Sequence, residues 1–132
     1  MTARVPDSHA DLLQAKGLAF LATVRDRQPN VSPTWYLWDE ERGHLLISLT
    51  DQRQKYRNLV REPRVAACVL DGENPYRYIE FRGHVEFSPD TGHELVDALA
   101  RKYLDEDTYP HDPAEGSRVV ARLVPDYVRC TG

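Results

Sequence analysis

Apolar residues recur along this chain with two different periods. In His44 to Thr50 (HLLISLT), Leu45, Ile47 and Leu49 fall on one face and Ser48 and Thr50 on the other, the period of a half-buried strand. Gly17 to Arg25 (GLAFLATVR) and Asn30 to Asp39 (NVSPTWYLWD) read as two earlier strands, with Pro33 marking an edge or irregularity in the second. Arg64 to Leu70 reads as a buried strand and Arg118 to Val124 (RVVARLV) as a last core strand before Pro125 and a short extended tail. Between them, Tyr76 to Ser88 is a long strand in which Ile79, Phe81, Val85 and Phe87 alternate with Tyr78, Glu80, Arg82 and Glu86. Polar breaks at Asp26 to Pro29, Glu41 to Gly43 and Asp71 to Pro75 have turn chemistry.

Three segments follow the helical period instead. Ser8 is placed to cap a short helix whose apolar face is Leu12 and Leu13, with Gly17 beyond its end. Gln52 to Glu62 carries Tyr56, Leu59 and Val60 at helical spacing; Thr50 or Asp51 can cap its start, and Pro63 stops it. Ser88-Pro89-Asp90 predicts the start of a helix with the stripe Leu95, Val96, Leu99 and Tyr103, followed by an acidic loop from Leu104 to Ser117. About six short strands with few helices predict an antiparallel barrel or sandwich. The βαβ rhythm and the GxGxxG fingerprint of dinucleotide folds are absent.

Length and composition narrow the partners. The 132 residues suit one domain, expected over 1–132, with no linker or repeat. A net charge of -4 disfavours a general nucleic-acid binder. No apolar run approaches the roughly 20 residues needed to cross a bilayer, and the N-terminal segment lacks a secretory pattern. Cys68 and Cys130 are too few for a disulfide scaffold, Cys68 reads as a buried thiol, and a cytoplasmic location is expected. The five histidines have no metal-ligand spacing, and GxSxG and P-loop motifs are missing. Glu80, Arg82, His84 and Glu86 on one strand face suit acid–base groups, or a solvated, cross-paired surface.

The densest chemical signal is Thr50 to Asn58 (TDQRQKYRN). A strand ends in hydroxyls and a helix begins with Arg53, Lys55 and Arg57. Helix starts offer free N–H donors and partial positive charge, and arginine and lysine add full charges, so the combination suits a phosphate or carboxylate. A solvated basic helix face fits the same residues, since Arg53, Arg57 and Arg61 recur every four positions. A second signal is the set Ser32, Thr34, Tyr36 and Trp38, expected on one strand face. Hydroxyls and aromatics so mixed can line a planar ligand, or pack as ordinary sheet at a dimer surface.

Taken in order, GLAFLATVRDRQPNVSPTWYLWD, HLLISLTDQRQKYRNLVREPRVAACVLD, YRYIEFRGHVEF and RVVARLVPD resemble the pyridoxamine-phosphate-oxidase-like superfamily. The similarity is greatest to its branch of oxidoreductases using coenzyme F420, an 8-hydroxy-5-deazaflavin. It spans about Leu12 to Val124, and its most specific piece is R-x-K-x-R-N-L followed by R-x-P-R-V-A at Arg53 to Ala66. The resemblance implies a mainly β fold, a six-stranded antiparallel split β-barrel of the FMN-binding-protein type with short peripheral helices. It also implies a homodimer with two cofactor sites at the subunit interface. On this resemblance Arg53 and Lys55 hold the cofactor phosphate, Ser48, Leu49 and Thr50 line the same pocket, and Ser32, Pro33 and Thr34 run beside the ring. Tyr78 approaches from the neighbouring subunit, and Arg57, with Arg61, suits a longer acidic tail. The implied activity is hydride transfer between F420 and a small conjugated or electron-poor substrate, with no catalytic side chain named. FMN-dependent oxidoreductase and non-catalytic flavin or F420 binder are the alternatives. Nothing matches a pyridoxal-phosphate pocket, and a final strand ending near Val128 predicts an open substrate side.

Overall fold

The alternation of apolar side chains is realised as one antiparallel sheet that wraps around a main core and carries a smaller apolar cluster under α2. The computed structural model describes residues 3–111 and 116–132. Among these, seven strands occur: β1 (Ala19–Arg25), β2 (Gln28–Thr34), β3 (Leu37–Asp39), β4 (His44–Thr50), β5 (Arg64–Leu70), β6 (Tyr78–Pro89) and β7 (Arg118–Thr131). Their order is β2-β1-β5-β6-β7-β4-β3, so β2 and β3 form unpaired edges and the barrel is split rather than closed. Leu21, Leu45, Ile47, Val69, Ile79, Phe81 and Leu123 come from five of these strands, yet all belong to one buried cluster. At roughly 25 cal/mol per Å² of buried apolar area, this shared core is the main stabilising contribution.

Three helical segments cover the sheet. A 3-10 helix (Asp7–Leu13) buries Leu12 and Leu13; α1 (Gln54–Arg61) follows β4, and α2 (Glu94–Leu104) follows β6. α1 docks through Leu59, 1% exposed, and through Asn58, whose amide donates to the Thr23 hydroxyl at 3.2 Å. α2 lies against the other face of the sheet, where Leu95 and Leu99 pack with Val120, Leu46 and Trp35. The β1–β2 hairpin turns on Asp26 and Arg27, both with positive φ, as a two-residue turn matching strand twist requires.

The expected strand from Asn30 to Asp39 is two strands. β2 pairs with β1 at one edge and β3 with β4 at the other, and Trp35–Tyr36 carries the chain between them. Tyr36 drives the break. Its ring is fully buried, and its hydroxyl donates to the Leu12 carbonyl at 2.6 Å, with the Ala15 carbonyl at 3.2 Å. Ser32, Thr34, Tyr36 and Trp38 therefore do not share a strand face, and the strand count rises from six to seven.

The expected helix start at Ser88-Pro89-Asp90 is also corrected. Pro89 is the last residue of β6, and α2 begins at Glu94 after His93 in a left-handed conformation. Asp90 still serves the helix, because its buried carboxylate accepts from the main-chain N–H groups of Leu95 and Val96 at 3.2 Å. Among the described residues no side chain caps α1 or the 3-10 helix: Asp51 instead accepts from the Ser117 N–H at 2.9 Å, and Ser8 bonds to His9 at 2.8 Å. β7 runs past Pro125 to Thr131 beside β6, with a register shift at Arg82/Gly83. There a Cβ on Gly83 would lie 2.0 Å from the Val124 carbonyl oxygen, so the close approach of the strands needs glycine. Cys68 is half-buried rather than buried, its thiol pushed up by burial and by Glu80. The charged face of β6 pairs along its own strand, Arg82 to Glu80 at 3.0 Å and His84 to Glu86 at 3.2 Å, and His84 also reaches Asp126 of β7 at 3.7 Å. Of the expected acidic loop, residues 112–115 lie outside the described ones.

Candidate functional site

Several chain segments meet at a cavity of about 270 Å³ beside α2. The end of β2 brings Pro33 and Thr34, and the crossover brings Trp35. β4 brings Ser48 and Leu49, the start of α1 brings Arg53 and Lys55, and the first residue of β7 is Arg118. The register pairs Arg118 with Thr50, three residues before Arg53, so the end of β4 gathers the cations. Leu18, Trp35 and Leu99 supply apolar wall. The cavity therefore combines positive charge with aromatic surface, as sites for ring-bearing anions do.

Local structure explains how the charges are held. Arg53 is the residue capping α1, in extended conformation, and no side chain bonds the first-turn N–H groups. Lys55 Nζ reaches the Pro33 carbonyl oxygen at 3.4 Å, joining α1 to the end of β2. Burial, and then the neighbouring Arg53 charge, pull the Lys55 pKa below that of an ordinary lysine. The Arg118 guanidinium lies over the Tyr109 ring, 5.0 Å from its centroid.

Two buried polar atoms of the lining residues have no hydrogen-bond partner among the described residues: Ser48 Oγ and Arg118 Nε. An unsatisfied buried polar group costs about 1–3 kcal/mol, and both atoms are donors of the kind that anionic oxygens accept from. The donor set of hydroxyl, guanidinium and ammonium groups fits the phosphate of a flavin or deazaflavin. Beside it the aromatic wall fits a ring.

An aromatic cluster stiffens that wall. Trp35 stacks on Tyr103 with centroids 4.8 Å apart and planes 3° apart, and meets Tyr109 edge-on at 6.2 Å. The Tyr103 hydroxyl donates to the Gly17 carbonyl at 2.7 Å and accepts from the Tyr36 N–H at 3.2 Å. Lys102 Nζ donates to the Tyr36 carbonyl at 2.8 Å and sits 3.8 Å from the Tyr36 ring centroid. Burial lowers the Lys102 pKa to about 8 and raises the Tyr36 hydroxyl well above an ordinary tyrosine.

Of the residues singled out by sequence, Pro33, Thr34, Ser48, Leu49, Arg53 and Lys55 line one cavity. The others do not line it. Ser32 of β2 pairs with Leu21 of β1, and Thr50 is buried at the end of β4. Arg57 donates to the Gln52 carbonyl at 2.7 Å and, with Arg25 and Arg61, lines a separate groove on α1. Tyr78 begins β6 opposite Leu70 and Thr131. Arg118, Trp35, Tyr109, Val96 and Leu99 also line the cavity and were not read as site residues from sequence. Arg118 alone left a trace there, as the charge that opens the strand run RVVARLV. Among the described residues no group of three or more His, Cys, Asp or Glu could hold a metal ion, and no helix is long and apolar enough to cross a membrane.

Comparison with known proteins agrees with this architecture. A solved structure described as an F420 reductase is 37% identical, covers 95% of this chain and 98% of its own, and superposes with a TM-score of 0.81. A conserved hypothetical protein of Mycobacterium tuberculosis is 25% identical over 98% of this chain and 86% of its own, with a TM-score of 0.77. An FAD-binding protein of Mesorhizobium loti, 23% identical over 97% of this chain and 95% of its own, shares the fold with a TM-score of 0.67. The family model described as pyridoxamine 5'-phosphate oxidase matches residues 5–132, nearly the whole chain. With the split barrel and its pocket in place, that match establishes that the chain belongs to the pyridoxamine 5'-phosphate oxidase family.

Proposed function

We propose that this protein is an oxidoreductase that binds coenzyme F420 and passes a hydride between it and a small conjugated or electron-poor molecule. The observation that carries the reading is the pocket's two-sided chemistry. Arg53, Lys55 and Arg118 offer positive charge to a phosphate, while Leu18, Trp35 and Leu99 offer surface to a flat ring. The likeness to the F420 reductase over nearly all of both chains supports the deazaflavin over FMN.

When bound, the deazaflavin supplies the two-electron hydride chemistry. The protein's own residues bind and orient. Arg53 and Lys55 hold the phosphate, Ser48 and Arg118 add donors that otherwise lack partners, and the Trp35–Tyr103 stack fixes the apolar wall. Val96 and Leu99 of α2 line the pocket and keep water from that wall. No side chain is assigned as acid or base.

We place the working form as a homodimer with its sites at the subunit interface, with Tyr78 of each chain facing its neighbour's site. The outer face of the sheet supports it. Val31 lies beside Ala22, and Phe20 beside Pro33 and Cys68, with Val31 68% and Phe20 39% exposed. Such an apolar sheet face is a natural subunit contact. The reading is tested by titrating the purified protein side by side with F420 and with FMN. Tighter binding of F420, followed by turnover of an enone or quinone, is expected; tight FMN binding with no F420 binding overturns it.

A further inference from the structure

The chain between α2 and β7 does more than connect them, because it lays Tyr109 along the pocket. Tyr109 meets Trp35 edge-on at 6.2 Å, while its face receives the Arg118 guanidinium at 5.0 Å. It thus touches both the aromatic and the cationic sides of the cavity. One polar contact holds its main chain: the Tyr109 N–H donates to Asp97 Oδ1 of α2 at 2.9 Å. Asp97 lies in the first turn of α2, on the helix that brings Val96 and Leu99 to the same cavity. The wall is therefore tied to the element it faces. His111 packs edge-on against the outer part of Tyr109 at 5.8 Å.

We propose that Tyr109, latched by its main-chain N–H to Asp97, is the specificity-determining wall of this pocket and restricts it to flat, conjugated anions. Aromatic rings reward a planar partner through stacking beyond plain area burial, and a non-planar skeleton cannot collect it. The Arg118 charge, held against the Tyr109 face, places the anion preference next to the shape preference. The cavity of about 270 Å³ is small beside ordinary ligand sites of roughly 300–1,000 Å³, so the position of one ring decides what enters. The inference rests on the proposed reading only in taking this cavity as the ligand site.

The test uses the full chain without cofactor and two probes of equal charge: flat naphthalene-2-sulfonate and non-planar camphor-10-sulfonate, titrated calorimetrically. The wild type is expected to bind the flat probe about five- to tenfold more tightly. Tyr109→Ala and Asp97→Ala should each bring the ratio below about threefold, with far-UV circular dichroism verifying the fold. Tyr109→Phe keeps the ring and Asp97→Asn keeps an accepting oxygen, so both should retain the wild-type ratio. A wild type that binds neither probe or does not discriminate overturns the proposal, as does a folded Tyr109→Ala with an unchanged ratio. Should the probes behave as stated while F420 and FMN both fail to bind, the cofactor reading falls and the Tyr109 wall stands.

Discussion

Lys55 and Pro33 are joined across the pocket: the lysine ammonium of α1 donates to the proline carbonyl at the end of β2, 3.4 Å away. The two residues lie far apart in sequence, and their contact holds a half-buried positive charge beside a strand edge. Lys55 is thus fixed in place before any ligand arrives, which reduces the ordering cost of binding.

Replacing Lys55 by alanine should weaken F420 binding by about tenfold or more, since a hydrogen bond to a charged group contributes roughly 1.5–3 kcal/mol. The same lysine gives binding a pH dependence. Its pKa is lowered by burial and by Arg53, so it loses its charge at lower pH than a solvated lysine does. Affinity should fall as pH rises through that lowered pKa, and the bound anion should raise it, so binding takes up protons on the alkaline side. Fluorescence titration of wild type and Lys55→Ala across alkaline pH checks both points; parallel curves would remove Lys55 from the site.

Ser48 should show opposite effects on stability and on binding. Its buried hydroxyl has no partner, so Ser48→Ala is expected to leave the free protein as stable or up to about 1 kcal/mol more stable while reducing cofactor affinity. Urea denaturation together with a binding titration reads both. A variant that loses stability without losing affinity would mean that the hydroxyl serves the fold and not the ligand.

Lys102 offers a separate test of the aromatic cluster. Its folded pKa of about 8 lies below the roughly 10.4 of an unfolded lysine, so between these values the unfolded chain binds more protons. Stability must then rise with pH across that window, relative to Lys102→Met, which has no titrating group there. Denaturant midpoints of the two proteins at pH 7 and pH 10 should diverge in favour of the wild type at the higher pH. The groups facing the ammonium are Tyr36 and Tyr103. A constant difference would place Lys102 in solvent.

The dimer can be checked by mass. Light scattering should give about twice the 15.2 kDa of one chain, and Val31→Asp with Phe20→Asp should shift the protein towards the monomer. A wild-type mass near that of one chain contradicts the assembly.

Most of the sheet was legible in sequence because period-two alternation fixes a strand's face without reference to its neighbours. β4 and β5 begin and end where the alternation does. The break between Thr34 and Leu37 was not legible, because it depends on partners for Tyr36 that lie in the 3-10 helix and on α2. Pro89 misled for a related reason. Proline suits a first helical position, but here it pairs with Val119 as the last residue of β6, and Asp90 caps α2 from a distance. In the site, Arg53 and Lys55 were visible as a charge cluster beside a strand end. Arg118 and Tyr109 were not, since only the β4–β7 register and the Asp97 bond carry them to the same place.

A crystal structure with bound F420 tests the central claim most directly. The account predicts the cofactor phosphate within hydrogen-bonding reach of Arg53 and Lys55, with Ser48 Oγ or Arg118 Nε newly partnered and the ring against Trp35. A ligand seated elsewhere, with those cations still facing water, would contradict it.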